Sequence, residues 1–279
     1  MTWRRLLRLG LAGAAGILLT LALTWLLVPA REVEGVIIRW LSQQGTTFRA
    51  VRFGKAFPLG VAATDVTIAT DGGPVLRFDR ITARLSLLPL LTGTVAVSAD
   101  AAVGPGRIGG SYHLRSGRGT LAARGVRLED IPFFSTVAGA EVKGLLTADA
   151  SLAGTGPQTT GELRLEVTGA DVRGVALGDT RLPDAAYETV RGMVRLASGR
   201  ATLDSVTLQG ADLYLRLKGD IPLATPTGAS PLNLTLEVMP QPPILDRQKL
   251  VFALLAKYLV TPGHYQLPVR GTLAKPLLQ

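Results

Sequence analysis

Glu162-Leu163-Arg164-Leu165-Glu166-Val167-Thr168 alternates polar and apolar residues without a break. A period of two sets Leu163, Leu165 and Val167 on one side of an extended chain and the charged residues on the other, as in a strand with one covered face. The alternation recurs in Leu213-Tyr214-Leu215-Arg216-Leu217-Lys218 and in Leu232-Asn233-Leu234-Thr235-Leu236-Glu237-Val238. Leu146, Ala148, Ala150 and Leu152 repeat it, as do Ile81, Ala83, Leu85 and Leu87. Glycines such as Gly144, Gly161, Gly199 and Gly219 stand at or near the ends of these runs, where turns are expected. The pattern predicts a mainly β chain, a long antiparallel sheet of irregularly repeated hairpins rather than a fixed-period solenoid. Its apolar face has Leu163, Leu165, Val167, Leu213, Leu215, Leu217, Leu232, Leu234 and Leu236 as candidates, serving either as groove lining or as closed core.

Working outward, the 279 residues carry a net charge of +9 from 30 basic and 21 acidic side chains; 47% are hydrophobic, 18% charged and none is cysteine. That balance excludes intrinsic disorder, and the lack of cysteine excludes a disulfide scaffold, a thiolate metal site and a cysteine nucleophile. Residues 9–30 are uncharged and long enough to cross a hydrocarbon core of about 30 Å, so they are read as a transmembrane anchor. Arg4, Arg5 and Arg8 precede the run, and Arg31, Glu32 and Glu34 follow it. The positive-inside rule then holds the flank 1–8 in the cytoplasm and puts the rest across the membrane. A signal peptide cleaved near Val28-Pro29-Ala30 is the alternative, although such cores usually run to about 7–15 residues.

Val33, Val36, Ile37, Trp40 and Leu41 fall at helical spacing, which predicts an amphipathic helix over 32–44 within a juxtamembrane segment 31–46. The β-rich domain occupies 47–279. Within it, 222–231 reads as a loop, 244–260 as a helix with Leu250, Val251, Leu254, Leu255 and Tyr258 inward, and 265–273 as a last strand.

Motifs for chemistry are sparse. Gly104-Pro105-Gly106-Arg107-Ile108-Gly109 matches the letters of a dinucleotide loop, but Ser111-Tyr112-His113-Leu114 continues as strand where that loop needs a helix. A hairpin turn accounts for the glycines. His113 and His264 are the only histidines and fall in different strands, too few for a typical zinc site. Asp71, Asp79, Glu129 and Asp130 are turn carboxylates. No enzyme activity, metal or cofactor is expected, and a domain outside the cytoplasm is not expected to meet nucleic acid.

Phe57-Pro58-Leu59-Gly60-Val61 followed by Asp65-Val66-Thr67-Ile68, then Leu85-Ser86-Leu87-Leu88-Pro89-Leu90-Leu91-Thr92-Gly93, resembles the opening of the type II (general) secretion pathway protein N family. Gly125-Val126 to Ile131-Pro132, Gly144-Leu145 and the closing Val269-Arg270-Gly271-Thr272-Leu273 extend the resemblance over roughly 32–279. It implies an accessory component of a secretion machine in the inner membrane, with its bulk in the periplasm and secretion-machinery proteins as partners. The same strand grammar resembles AsmA-like and TamB-like envelope proteins. That wider likeness implies a curved, taco-shaped sheet with an apolar inner groove, and phospholipid as an alternative partner.

Overall fold

Each alternating run becomes a strand that pairs antiparallel with strands near it in the chain. The structure, a computed structural model, describes residues 29–279 apart from 44, 58, 71, 88, 90–92, 137–138, 156–157, 178–179, 182–183, 225–226, 274 and 279. Helix α1 (Ala30–Gln43) comes first, in the place anticipated for a helix over 32–44. It carries Glu32 in its first turn, where the helix dipole favours a negative charge. Gly45, at φ 72°, ends the helix, and the Thr46 amide donates back to the Leu41 carbonyl at 3.2 Å. The anchor expected over 9–30 lies, but for Pro29 and Ala30, outside the described residues. Among the described residues no helix is long and apolar enough to cross a membrane.

The strands are β1 (Thr47–Arg49), β2 (Arg52–Ala56), β3 (Gly60–Thr70), β4 (Gly73–Leu85), β5 (Ala96–Val103) and β6 (Gly106–His113). There follow β7 (Arg118–Arg127), β8 (Glu141–Ala153), β9 (Thr160–Arg173), β10 (Ala176–Leu177), β11 (Thr180–Arg181) and β12 (Ala185–Ala197). The chain closes with β13 (Arg200–Gln209), β14 (Leu213–Pro222), β15 (Asn233–Pro240), β16 (Leu259–Thr261), β17 (His264–Thr272) and β18 (Lys275–Leu278). Sixteen of them form one antiparallel sheet, and β10 and β11 make a separate hairpin between β9 and β12. The sheet is an open meander. One edge is β1 and β2, both paired to β3; the other is β16 and β18, both paired to β17.

Short α-helices stand in the connections between strands. Helix α2 (Phe133–Thr136) lies between β7 and β8, and α3 (Pro242–Arg247) and α4 (Lys249–Leu254) lie between β15 and β16. The last pair corrects the expected single helix over 244–260. Gln248, at φ −122° and ψ 41°, breaks the helix, and a 3-10 turn over Ala256–Tyr258 completes the segment. The break turns the apolar face: Ile244, Phe252, Leu255 and Tyr258 are buried, whereas Leu250 and Leu254 are exposed. The run through Leu87 is also shorter than expected, since β4 ends at Leu85.

Gly104 and Pro105 form the tight turn between β5 and β6, with strand on both sides of the GxGxxG letters. Gly219, at φ 136°, is a second position that only glycine fills. A Cβ there would run into the carbonyl oxygen of Asn233 on β15.

Candidate functional site: an apolar trough closed along one rim

Strand register carries apolar side chains across the whole sheet. One row runs from Phe53 on β2 through Ala63, Ile81, Ala101 and Ile108 to Ala123 on β7. It continues through Ala148, Leu165, Gly192, Val206, Leu217 and Leu236 to Leu267 on β17. Because side chains alternate between faces, rows two residues away share its side. One of these runs Val126, Leu146, Val167, Val190, Leu208, Leu215, Val238 and Tyr265. On the other flank stand Ala83, Ala99, Gly110, Leu121, Ala150, Leu163, Val194 and Leu203. The floor is therefore small residues from β3 to β8 and mostly leucine and valine from β9 to β17.

Coverage of this face is uneven in two directions. Along one rim, where β3, β5, β7, β9, β13 and β15 end, the connections fold over the apolar side. Leu128, Ile131 and Phe134 from the β7–β8 connection, and Ile244, Phe252, Leu255 and Tyr258 from the β15–β16 connection, join the main core cluster. The Phe252 and Tyr265 rings sit 5.6 Å apart there. The β10–β11 hairpin reaches β18, and Gln248 Nε2 donates to the Asp184 carbonyl at 3.0 Å beside its base. Val126 and Val238, nearest this closed rim, are 0% exposed. Toward the opposite rim, Leu121 is 44% exposed and Leu152 is 42% exposed, so over β7 and β8 the apolar face is a trough that opens along that side, whereas Leu203, Leu232 and Leu234 by the same rim of β13 and β15 stay buried.

All nine residues singled out from sequence share this face by register and alternation. Val167, Leu213, Leu215, Leu232, Leu234 and Leu236 are buried in the main core, with Leu232 and Leu234 at the open-rim end of β15, while Leu163, Leu165 and Leu217 are half-buried. Burying a leucine side chain fully stabilises by about 1.5–3 kcal/mol, so the β14–β15–β17 part holds the fold together. The alternation through Ile81 and Ala83 and through Ala148 and Ala150 was read from sequence, but the rest of the Ala and Gly floor of β3–β8 was missed. Its signal was present in Ala99, Ala101 and Ala123, but alanine is too weakly apolar to mark a face by itself.

The reverse face is polar. Over β9–β15 it carries cross-strand ion pairs: Arg191 to Glu166 at 3.1 Å, Arg195 to Asp204 at 2.5 Å and Lys218 to Glu237 at 2.5 Å. The bidentate hydrogen bond from Arg195 holds the Asp204 carboxyl below the usual carboxylate range. Over β2–β7 the face carries the register row Arg52, Thr64, Arg80, Ala102, Arg107 and Arg124. On the trough side, burial pushes the Tyr187 phenol well above its ordinary value.

His113 ends β6 on the open rim and His264 begins β17 on the closed one, so the fold keeps the two histidines apart. Among the described residues no three His, Asp or Glu side chains converge as a metal site would require. Neither a family model nor a curated protein nor a solved structure matches the chain.

Proposed function

We propose that the protein shelters the acyl chains of phospholipid in this trough, working at the periplasmic side of the inner membrane with its N-terminus in the cytoplasm. The observation that carries the reading is the burial gradient of the apolar face over β6–β8, where Tyr112, Leu121 and Leu152 stand exposed toward one rim and Val126 is covered toward the other. A sheet that served only as a scaffold gains nothing by leaving Leu121, Leu152 and Tyr112 open beside a row that is already apolar. A trough with polar outer walls and an apolar interior matches a ligand that is all hydrocarbon over most of its length. The taco-shaped, AsmA-like form of the sheet belongs to the same proposal.

In-cell photocrosslinking tests it, with the probe at Leu163 in the open part, at Leu215 in the closed part and at the outward Arg164. Phospholipid adducts at Leu163 and at neither of the others are the expected result. No lipid adduct at Leu163 in a correctly folded protein overturns the reading.

A second reading, an accessory component of a type II secretion system acting by protein binding, is favoured by β16. All three of its residues are exposed and it forms a sheet edge, the arrangement to which a partner's strand can add. A probe at Val260 giving adducts with secretion-machinery proteins supports that role, and none at that position removes it.

A further inference from the structure

We infer that the open rim of the sheet rests on an anionic phospholipid bilayer, so that the trough's mouth faces the lipid headgroups. The two rims differ in charge. The segments joining strands along the open rim are 57–59, 86–95, 114–117, 154–159, 198–199, 223–232 and 273–274, and none contains an aspartate or glutamate. Arg115 lies in one of them, and Arg118, Arg200 and Lys275 begin the strands that follow three of them. The connections of the closed rim carry Glu129, Asp130, Asp184, Asp212 and Asp246. Four of these are used within the fold: Gly144 donates to Glu129 at 3.3 Å and Gly174 to Asp184 at 2.7 Å, while Arg247 pairs with Asp212 and Lys249 with Asp246. Arg200 is paired with Asp220 at the end of β14, which leaves Arg115, Arg118 and Lys275 beside turns that hold no carboxylate, a charge balance that an anionic surface attracts and an acidic one does not.

Apolar tips accompany the charge. Phe57, in the β2–β3 turn, is 90% exposed, and Leu114, Leu223 and Leu273 are exposed in three other turns of the same rim. Single apolar side chains between cations are the means by which interfacial segments sit at the level of the headgroups. The course of α1 agrees. It ends beside β1, near the closed rim, and touches both β1 and β2, so its N-terminal end runs back toward the open rim. The uncharged stretch 9–30 leads into that end.

Exposed Leu250 and Leu254, beside Lys249 and Lys257, form a competing patch on the closed rim. The test sets one against the other. The chain has no cysteine, so single-cysteine fluorophores can be placed cleanly on the full chain at Leu114→Cys, Leu223→Cys and Leu250→Cys. The proteins are reconstituted into vesicles of phosphatidylethanolamine with phosphatidylglycerol, or of phosphatidylcholine alone, with a nitroxide quencher on the headgroups. Labels at 114 and 223 are expected to be quenched more than the label at 250, and only with phosphatidylglycerol present. Arg115→Glu with Arg118→Glu should weaken that quenching at least about threefold, and Lys275→Glu provides an independent charge reversal. Equal or stronger quenching at 250, or quenching at 114 and 223 indifferent to lipid charge and to both reversals, overturns the proposal. So does a label at 114 shielded only when other envelope proteins are added, which marks a protein partner. Headgroup quenching and lipid adducts at Leu163 are read separately, so contact with the bilayer and filling of the trough can each fail alone.

Discussion

Lys218 reaches across from β14 to Glu237 on β15, with Nζ 2.5 Å from Oε1, and Glu237 keeps only 7% of its side chain exposed. Arg216 stands directly opposite Glu237 in the ladder, so the carboxylate is flanked by two cations on the neighbouring strand. Removing one partner of a buried charge costs more than the pair contributes, because the other is left uncompensated. Lys218 is itself nearly half-exposed, and water screens part of the effect. Lys218→Met should therefore destabilise the protein by only about 1–2 kcal/mol in chemical denaturation, and adding Glu237→Gln should recover much of that loss. Strictly additive single and double variants would show that the pair does not interact.

The burial gradient has a direct signature in stability. Leu267, in the row that crosses the sheet, is fully buried, and Leu267→Ala should lower stability by about 3–4 kcal/mol. Leu121→Ala, on the same face near the open rim, should cost less than about 1 kcal/mol, since little surrounds the methyl groups it removes. Urea midpoints of the two variants check this. Equal losses would mean that Leu121 is covered in solution.

Gly219 tests the backbone. Alanine there needs a φ that L-residues avoid and a Cβ where the Asn233 carbonyl lies, so β14 and β15 must separate locally. Gly219→Ala should cost about 2–3 kcal/mol and should loosen Leu234, which pairs with it, before other parts of the sheet. Amide exchange along β15 would follow this.

The Arg195–Asp204 pair sets a pH dependence. Asp204 has a folded-state pKa below its unfolded value because Arg195 hydrogen-bonds its charged form. Its contribution is thus complete above the ordinary carboxylate pKa and disappears as pH falls through the depressed folded value. Carbon-13 NMR titration of the Asp204 carboxyl should place its midpoint below the usual range, and Arg195→Ala should bring it back up.

The period-two runs made the strands legible, and with them the common face of Leu163, Leu215 and Leu236. The two ends of that face were not legible. Leu165 and Leu236 alternate alike in sequence, yet Leu236 is buried and Leu165 only half-buried, a difference set by how the β7–β8 and β15–β16 connections fold back over the sheet. The β15–β16 segment misled for a related reason. Leu250, Val251, Leu254, Leu255 and Tyr258 fit one helical face, but the break at Gln248 turns Leu250 and Leu254 outward and Phe252 inward. The β10–β11 hairpin is too short to show a pattern of its own.

From β3 to β9 and from β12 to β15 each strand lies beside its neighbours in sequence, and that makes length a modular property. A hairpin gained or lost anywhere between β3 and β15 would extend or shorten the trough by about 10 Å while keeping its cross-section. A chain of this design can be lengthened by duplicating short segments, in the way a ruler is extended by whole divisions.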